Sequence, residues 1–189
     1  MGRSTSIPLA ELRQPREPLA FRFAADTEVP NNPRLPLVIY RGALRLDPAF
    51  DPAAIFEEAF AVNGWGSSWR NGIYPFRHFH TRAHEVLGIA RGQARVEFGG
   101  AAGEQLEVGA GDVAILPAGT GHKRLGQSAD LLVVGAYPET SGFDQKRAGE
   151  MDIAQALANI AGVPDPAMDP VYGANGPLRS LWGKSGQVV

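Results

Sequence analysis

The stretch GIYPFRHFHTRAHEVLGIARG, residues 72–92, holds three of the chain's four histidines, His78, His80 and His84, within seven residues. The fourth, His122, closes the segment GDVAILPAGTGH, residues 111–122. Side chains two apart on a strand share a face, so His78 and His80 project together while Arg77 and Phe79 point away. Glu85 opens the next apolar run, and a hairpin return through the intervening turn brings its carboxylate beside the two imidazoles. His122 follows Pro117 and Gly119, where a glycine-permitted turn sends a neighbouring strand back across the same cavity. Three neutral nitrogens and one carboxylate suit a first-row divalent ion with positions left open for water or substrate. His84 has the parity opposite to Glu85, which places it outside the ligand set, bracing a ligand or facing the exterior. An irregular turn there would let His84 and Glu85 exchange roles.

The same parity extends the cavity. Tyr74 and Phe76 are in step with His78, Leu87 and Ile89 with Glu85, and Arg124 with His122. Taken singly, the apolar members read equally as ordinary core and Arg124 as solvated surface. Lys123, Trp69 and Arg70 either contact substrate or stabilise turns, and parity does not separate the two. Glu57 and Glu58 are adjacent on a helix, so their carboxylates diverge and make no catalytic pair.

Outward from this centre, EVLGIA, ARVEF, EQLEV, DVAILP and LLVVGAY are runs of four to eight residues separated by glycine turns. Strands of that length and spacing predict an antiparallel sandwich or barrel, not βαβ units. PLAFRF and LPLVIYRGAL, on either side of the turn-rich VPNNPR, predict two earlier strands. Asp51 and Pro52 start a helix with Phe56 and Phe60 on one side, to be packed outside the sheet, and Asn63–Gly64 stop it. Ile153, Leu157 and Ile160 predict a second helix, ended by Gly162 and Pro164. Tyr172, Leu178, Leu181 and Trp182 anchor an extended tail. Residues 1–18 are polar and proline-interrupted and are expected to be a poorly ordered arm, leaving residues 19–189 as one domain.

The bulk numbers exclude several functions. The 189 residues, 44% hydrophobic, allow one domain with a core. With 18 basic and 20 acidic residues there is no electrostatic footprint for nucleic acid or an anionic membrane. The absence of cysteine removes disulfides, thiolate metal sites and thiol nucleophiles. No signal peptide or membrane-spanning run is read, and a cytoplasmic location is expected.

The spacings also carry a resemblance. Gly72, five residues, His78, one residue, His80, four residues, Glu85, six residues and Gly92 resemble the first motif of the cupin superfamily. Gly111, five residues, Pro117, one residue, Gly119, two residues and His122 resemble the second, departing only where Gly126 stands in place of an asparagine that is not a metal ligand. TRAHEVLG, PAGTGHKRLG and VVGAYP, with VPNNPRLPLVIYRGAL and NGWGSSWRNGIY, are similar to single-domain bacterial cupins of the YjlB type. The resemblance, over residues 20–182, implies a double-stranded β-helix (jelly-roll, RmlC-like) barrel with a helix before and after its core, a metal in the lumen and pairing as a homodimer. It implies no single reaction, because the superfamily holds oxygenases, decarboxylases, isomerases and non-catalytic proteins.

The expectation is a metal-dependent small-molecule enzyme, the alternative a non-catalytic module that binds metal and ligand. Iron, manganese, nickel, cobalt, copper and zinc all accept this donor set. One divalent ion and one carboxylate leave about one net positive charge in an apolar cavity, which favours an anionic or oxygen-rich ligand.

Overall fold

Alternation inside the short apolar runs sets the layers of the molecule. The computed structural model describes residues 7–183. Its helices are α1 (Leu9–Leu12), α2 (Pro52–Ala61), α3 (Ile153–Ala161) and α4 (Pro177–Trp182). The strands are β1 (Leu19–Phe21), β2 (Leu37–Tyr40), β3 (Trp65–Asn71), β4 (His78–Phe79), β5 (Glu85–Arg91), β6 (Gln93–Phe98), β7 (Glu104–Gly109), β8 (Val113–Leu116), β9 (His122–Gln127), β10 (Leu132–Pro138) and β11 (Lys146–Arg147). They form a six-stranded sheet in the order β1-β2-β8-β5-β10-β3 and a five-stranded sheet in the order β11-β4-β9-β6-β7. The chain crosses between the sheets from β3 to β4, β4 to β5, β5 to β6, β7 to β8, β8 to β9, β9 to β10 and β10 to β11. This is the winding of a double-stranded β-helix, and the mainly β reading is borne out.

The sheets are not joined into one closed ladder, as a barrel in the strict sense requires. Register shifts at Arg95/Val96, Leu132/Val133 and Gly135/Tyr137 twist the strands and interrupt pairing, so the two sheets face each other as layers.

Inside the six-stranded sheet β2 and β8 are buried on both faces, which is why LVIY and VAIL read as unbroken apolar runs. Leu37, Ile39, Leu87, Ile89, Ala114, Leu116 and Val133 turn inward to meet Val96 and Phe98 of the opposite sheet. The alternate residues Val38, Tyr40, Val86, Ala90, Val113, Ile115 and Val134 turn outward into a second core that they share with α2 and with the C-terminal segment, against which Tyr40 packs. Asp51 caps α2 by accepting a hydrogen bond from Ala53 N at 3.1 Å, with Pro52 at the first helical position. Phe56 and Phe60 are fully buried on the sheet's outer face, as expected. Gly88 makes room for the first: a Cβ there would lie 2.2 Å from Phe56 Cδ1.

The chain ends close over this body. Part of the segment expected to be a poorly ordered arm, residues 1–6, lies outside the described residues, whereas residues 7–13 fold onto the core. Leu12 is fully buried, Arg13 bridges Leu44, and Arg45 N donates to Leu12 O at 2.8 Å. One buried leucine after a single helical turn leaves no period to read. At the other end Asp152 caps α3 through Gln155 N at 3.0 Å, and Ile160 packs with Ala118 and Val163. The expected anchors Leu178 and Trp182 are buried, carried on the short helix α4, and Trp182 Nε1 donates to Pro36 O at 2.9 Å. Among the described residues no helix is long and apolar enough to cross a membrane.

Candidate metal centre

β4 and β9 pair antiparallel with His78 directly opposite His122, and this register places two imidazoles side by side, ring centroids 4.0 Å apart. His80, two residues along, keeps the same face at 5.7 Å from His78 and 5.9 Å from His122. Arg77 and Phe79 take the other face, as parity requires: Arg77 Nε bonds Glu97 Oε1 at 2.7 Å, and Phe79 packs with Val29 and Ala156. Glu85, first residue of β5, crosses from the other sheet and sets Oε2 3.4 Å from both His80 Nε2 and His122 Nε2. All four side chains are buried.

One ring nitrogen of each of His78, His80 and His122 lies within 4.8 Å of the others. Glu85 stands on the side of His80 and His122. Donors about 2.1 Å from a shared ion are spaced roughly 3.0–3.4 Å when they are neighbours; Glu85 Oε2 already stands at that spacing from His80 and His122, and the three imidazole nitrogens, within 4.8 Å of one another, would draw closer around an ion.

The tautomers are set by the backbone. His78 Nδ1 faces Phe76 O at 3.2 Å, His122 Nδ1 faces Thr120 O at 3.0 Å, and His80 Nδ1 bonds Asp144 O. A carbonyl only accepts, so each Nδ1 carries a proton, and in the neutral ring it is Nε2 that keeps a lone pair for the centre. His80 Nε2 and Glu85 Oε2 are buried with no hydrogen-bond partner in the protein, a costly arrangement that an ion would relieve.

The electrostatics agree. Burial, then the neighbouring His122, pushes His78 down to about 3, so it is neutral at physiological pH. Burial opposes charge on His80 as well, but Glu85 beside it outweighs burial and raises the ring. Burial would raise Glu85 in turn, yet His80 and His122 hold it below the usual carboxylate range. The group is therefore an anionic oxygen among imidazoles.

Two remote segments brace this set, and neither was visible as functional in the sequence. Asn31 and Asn32, in the turn VPNNPR, hold the loop before His122: Gly121 N donates to Asn31 Oδ1 at 3.2 Å and Asn32 Nδ2 donates to Ala118 O at 2.9 Å. Asn31 adopts φ 46°, a left-handed conformation that asparagine tolerates. Asp144 clasps the turn after His80, its Oδ1 accepting from Thr81 N at 2.7 Å and Arg82 N at 2.9 Å, its Oδ2 from Thr81 Oγ1 at 2.7 Å.

Beside the imidazoles opens a cavity of about 240 Å³. Of the residues expected in it, Tyr74 and Leu87 line the wall; Phe76 is not among the lining residues but stacks on Tyr74 at 4.7 Å. Ile89 lies deeper, in the apolar core between the sheets. Arg124 is not among the lining residues either, and its guanidinium bonds Gln127 on its own exposed strand. The register from His122 to Arg124 is regular, so parity with His122 holds; the bulge opposite Arg95/Val96 falls just beyond, between Arg124 and Gly126, and changes which later residue shares the side of Arg124. Arg70 lies on the wall with its guanidinium tied to Glu57 and Asp51 at 2.6–2.7 Å. His84 faces outward: its Nδ1 accepts from Ala118 N at 2.9 Å, and its ring lies 4.8 Å from that of Trp182. Trp69, left undecided by parity, joins Tyr137, Phe143 and Gln145 in the lining. Trp69 Nε1 donates to Tyr137 Oη at 2.9 Å, and Gly135 admits the indole, since a Cβ there would lie 2.1 Å from it.

Comparison with known proteins completes the description. No protein-family model matches the chain. Among solved structures, a Bacillus anthracis acireductone dioxygenase with a cadmium ion in its active centre matches 47% of this chain and 62% of its own, at 19% identity and a TM-score of 0.34. A conserved Klebsiella pneumoniae protein with a double-stranded β-helix domain matches 77% and 99%, at 15% identity and a TM-score of 0.35. An 11S globulin from Wrightia tinctoria is matched over only 22% of its length, at 18% identity over 42% of this chain and a TM-score of 0.34. Likeness this loose carries no argument about chemistry. The uncharacterized protein YjlB of Bacillus subtilis is 36% identical over 169 residues, 89% of this chain and 99% of the relative. At that identity and coverage, the chain belongs to the family of YjlB.

Proposed function

We propose that the protein is a metal-dependent cupin enzyme of oxygenase, decarboxylase or isomerase type, acting on a small oxygen-bearing molecule. One divalent first-row ion would be held by His78, His80, Glu85 and His122. The observation that carries this reading is the convergence of the Nε2 atoms of His80 and His122, whose Nδ1 atoms are engaged by backbone carbonyls, on a buried carboxylate oxygen that has no hydrogen-bond partner. When bound, the ion supplies Lewis acidity toward an oxygen of the substrate.

The chain's own residues supply the remainder. The backbone carbonyls hold protons on three Nδ1 atoms and keep the donors oriented. Tyr137 sits near Glu85 with its phenol raised above the ordinary range by burial and by that carboxylate, so it holds its proton at neutral pH. Trp69 donates to the Tyr137 oxygen, so the phenolic hydrogen turns away from the indole, toward Glu85 or an oxygen of a ligand beside it. Leu87, Ile73 and the aromatic rings exclude water from the wall.

Elemental analysis of untagged protein tests the site. We expect close to one equivalent of a first-row ion, falling by about tenfold or more in His80→Ala and His122→Ala. Full metal content in a variant lacking all four side chains would refute the assignment. Metal-dependent turnover with a panel of hydroxy- and keto-compounds tests the enzyme reading, and stoichiometric binding without turnover would favour a ligand-binding role.

A further inference from the structure

The cavity beside the metal ligands is walled mainly by rings and aliphatic side chains, with Arg70, Asn71 and Gln145 as its polar members besides the imidazoles. Trp69 on β3, Tyr74 in the loop after it, Tyr137 on β10 and Phe143 in the following loop contribute aromatic rings, and Ile73 and Leu87 contribute aliphatic surface. The rings are in mutual contact around the imidazoles: Tyr137 and Phe143 lie 5.3 Å apart, Phe143 and His80 5.5 Å, Tyr74 and His78 5.2 Å. Trp69 and Tyr137 bond their polar ends to each other, so what they offer a ligand is chiefly ring surface.

Cations are missing from this wall in a usable form. Among the described residues Arg70 is its only arginine or lysine, and Glu57 and Asp51 occupy its guanidinium. Nearby, Arg124 bonds Gln127 and Arg147 lies over the Phe76 ring at 3.9 Å. A site built for an aliphatic polyanion would present a free arginine fork to its carboxylates. The volume of about 240 Å³ also falls below the range of roughly 300–1,000 Å³ usual for drug-sized ligands.

We propose that this cavity takes a planar, single-ring molecule carrying two neighbouring oxygen donors, in place of an aliphatic polyanion. The ring would lie between Trp69, Tyr137 and Phe143 while the oxygens face His78 and His122. The oxygen half of this inference rests on the metal reading above; the ring half rests on the cavity wall alone.

Benzohydroxamate and acetohydroxamate share one metal-binding head and differ only in phenyl against methyl. Titrated calorimetrically into protein whose ion content is measured in the same sample, the phenyl probe is expected to bind roughly tenfold tighter or more. Phe143→Ala and Tyr74→Ala, both at exposed positions that the fold does not need, should cut that ratio to about threefold or less. Adding a para-carboxylate to the phenyl probe should bring no gain. Equal affinities, a ratio unmoved in both variants, or tighter binding of the carboxylated probe or of oxalate would overturn the proposal.

The metal reading fails separately, if the sample binds no ion. In metal-free protein phenol should still give a saturable change in indole fluorescence, weakened by Phe143→Ala, because Trp65 and Trp182 are buried elsewhere and Trp69 is the indole at the cavity. No saturable change there would overturn the ring half.

Discussion

Three backbone carbonyls, those of Phe76, Asp144 and Thr120, determine what the histidines can do, because in the neutral ring they place the proton away from the centre. Two of them lie two residues before the histidine they hold and come with the strand itself. The third comes from a loop more than sixty residues away, and its position depends on the Asp144 side chain gripping Thr81 and Arg82. Asn159 Nδ2 on α3 reinforces the grip by donating to Thr81 Oγ1 at 3.0 Å. Asp144→Ala should therefore weaken metal affinity by about 10–100-fold while leaving all four ligands in place, with Asp144→Asn intermediate because its oxygen can still accept from the turn. Competition with a chromophoric chelator measures this. Unchanged affinity in the alanine variant would mean that the strand alone orients His80.

At the scale of elements, the six-stranded sheet has to satisfy a lumen on one face and a helix on the other. Gly88 shows how closely the outer contact is fitted, since the Phe56 ring occupies the space a side chain would need. Gly88→Ala should cost roughly 1–3 kcal/mol through overpacking, and Phe56→Ala about 3–5 kcal/mol through the cavity it leaves. In the double variant the new methyl group enters the vacated space, so its cost should fall below the sum by about 1 kcal/mol or more. Urea unfolding of the three variants checks this, and strict additivity would show that the residues do not share a contact. The same layering explains why β2 and β8 could be read as strands but their inward and outward residues could not be told apart by polarity. Both faces are apolar, and only the tertiary partners differ.

Across the whole molecule, one buried carboxylate fastens the C-terminal segment to the sheet. Asp169 is fully buried; its Oδ1 accepts from Val171 N at 2.8 Å and Tyr172 N at 2.9 Å, its Oδ2 from Leu178 N at 3.2 Å and from the Tyr40 hydroxyl at 2.5 Å. Tyr40→Phe should cost about 1–3 kcal/mol, since it leaves a charged acceptor short of a donor. The pH dependence comes from the phenols. Burial, then Asp169, raises Tyr40 well above the usual tyrosine range, and the same causes push Tyr172 up to about 12. An unfolded tyrosine ionises near 10, so the folded state binds these protons more tightly. Their stabilisation is complete below about pH 10 and declines as pH rises above 10, through about 12 for Tyr172 and beyond that for Tyr40. Urea midpoints measured from pH 8 to 12 should fall on the alkaline side, more shallowly in Tyr40→Phe; an equal slope in both proteins would exclude Tyr40 as a contributor.

What the amino-acid sequence determined by itself was whatever depends on backbone geometry within a few residues. The two-residue spacing of His78 and His80, the placement of Glu85 at the head of a strand, the cap at Asp51 and the stop at Asn63–Gly64 are local, and the structure places them as the sequence indicates. The tertiary structure decided the rest: that Asn31 and Asn32 brace the loop before His122, that Asp144 holds His80, that Tyr137 and Phe143 wall the cavity, and that Arg124 turns to Gln127. These contacts join segments brought together only when the two sheets stack, or depend on a bulge that local periodicity does not register. Their geometry is set by the summed packing of the chain, which no short window of residues contains.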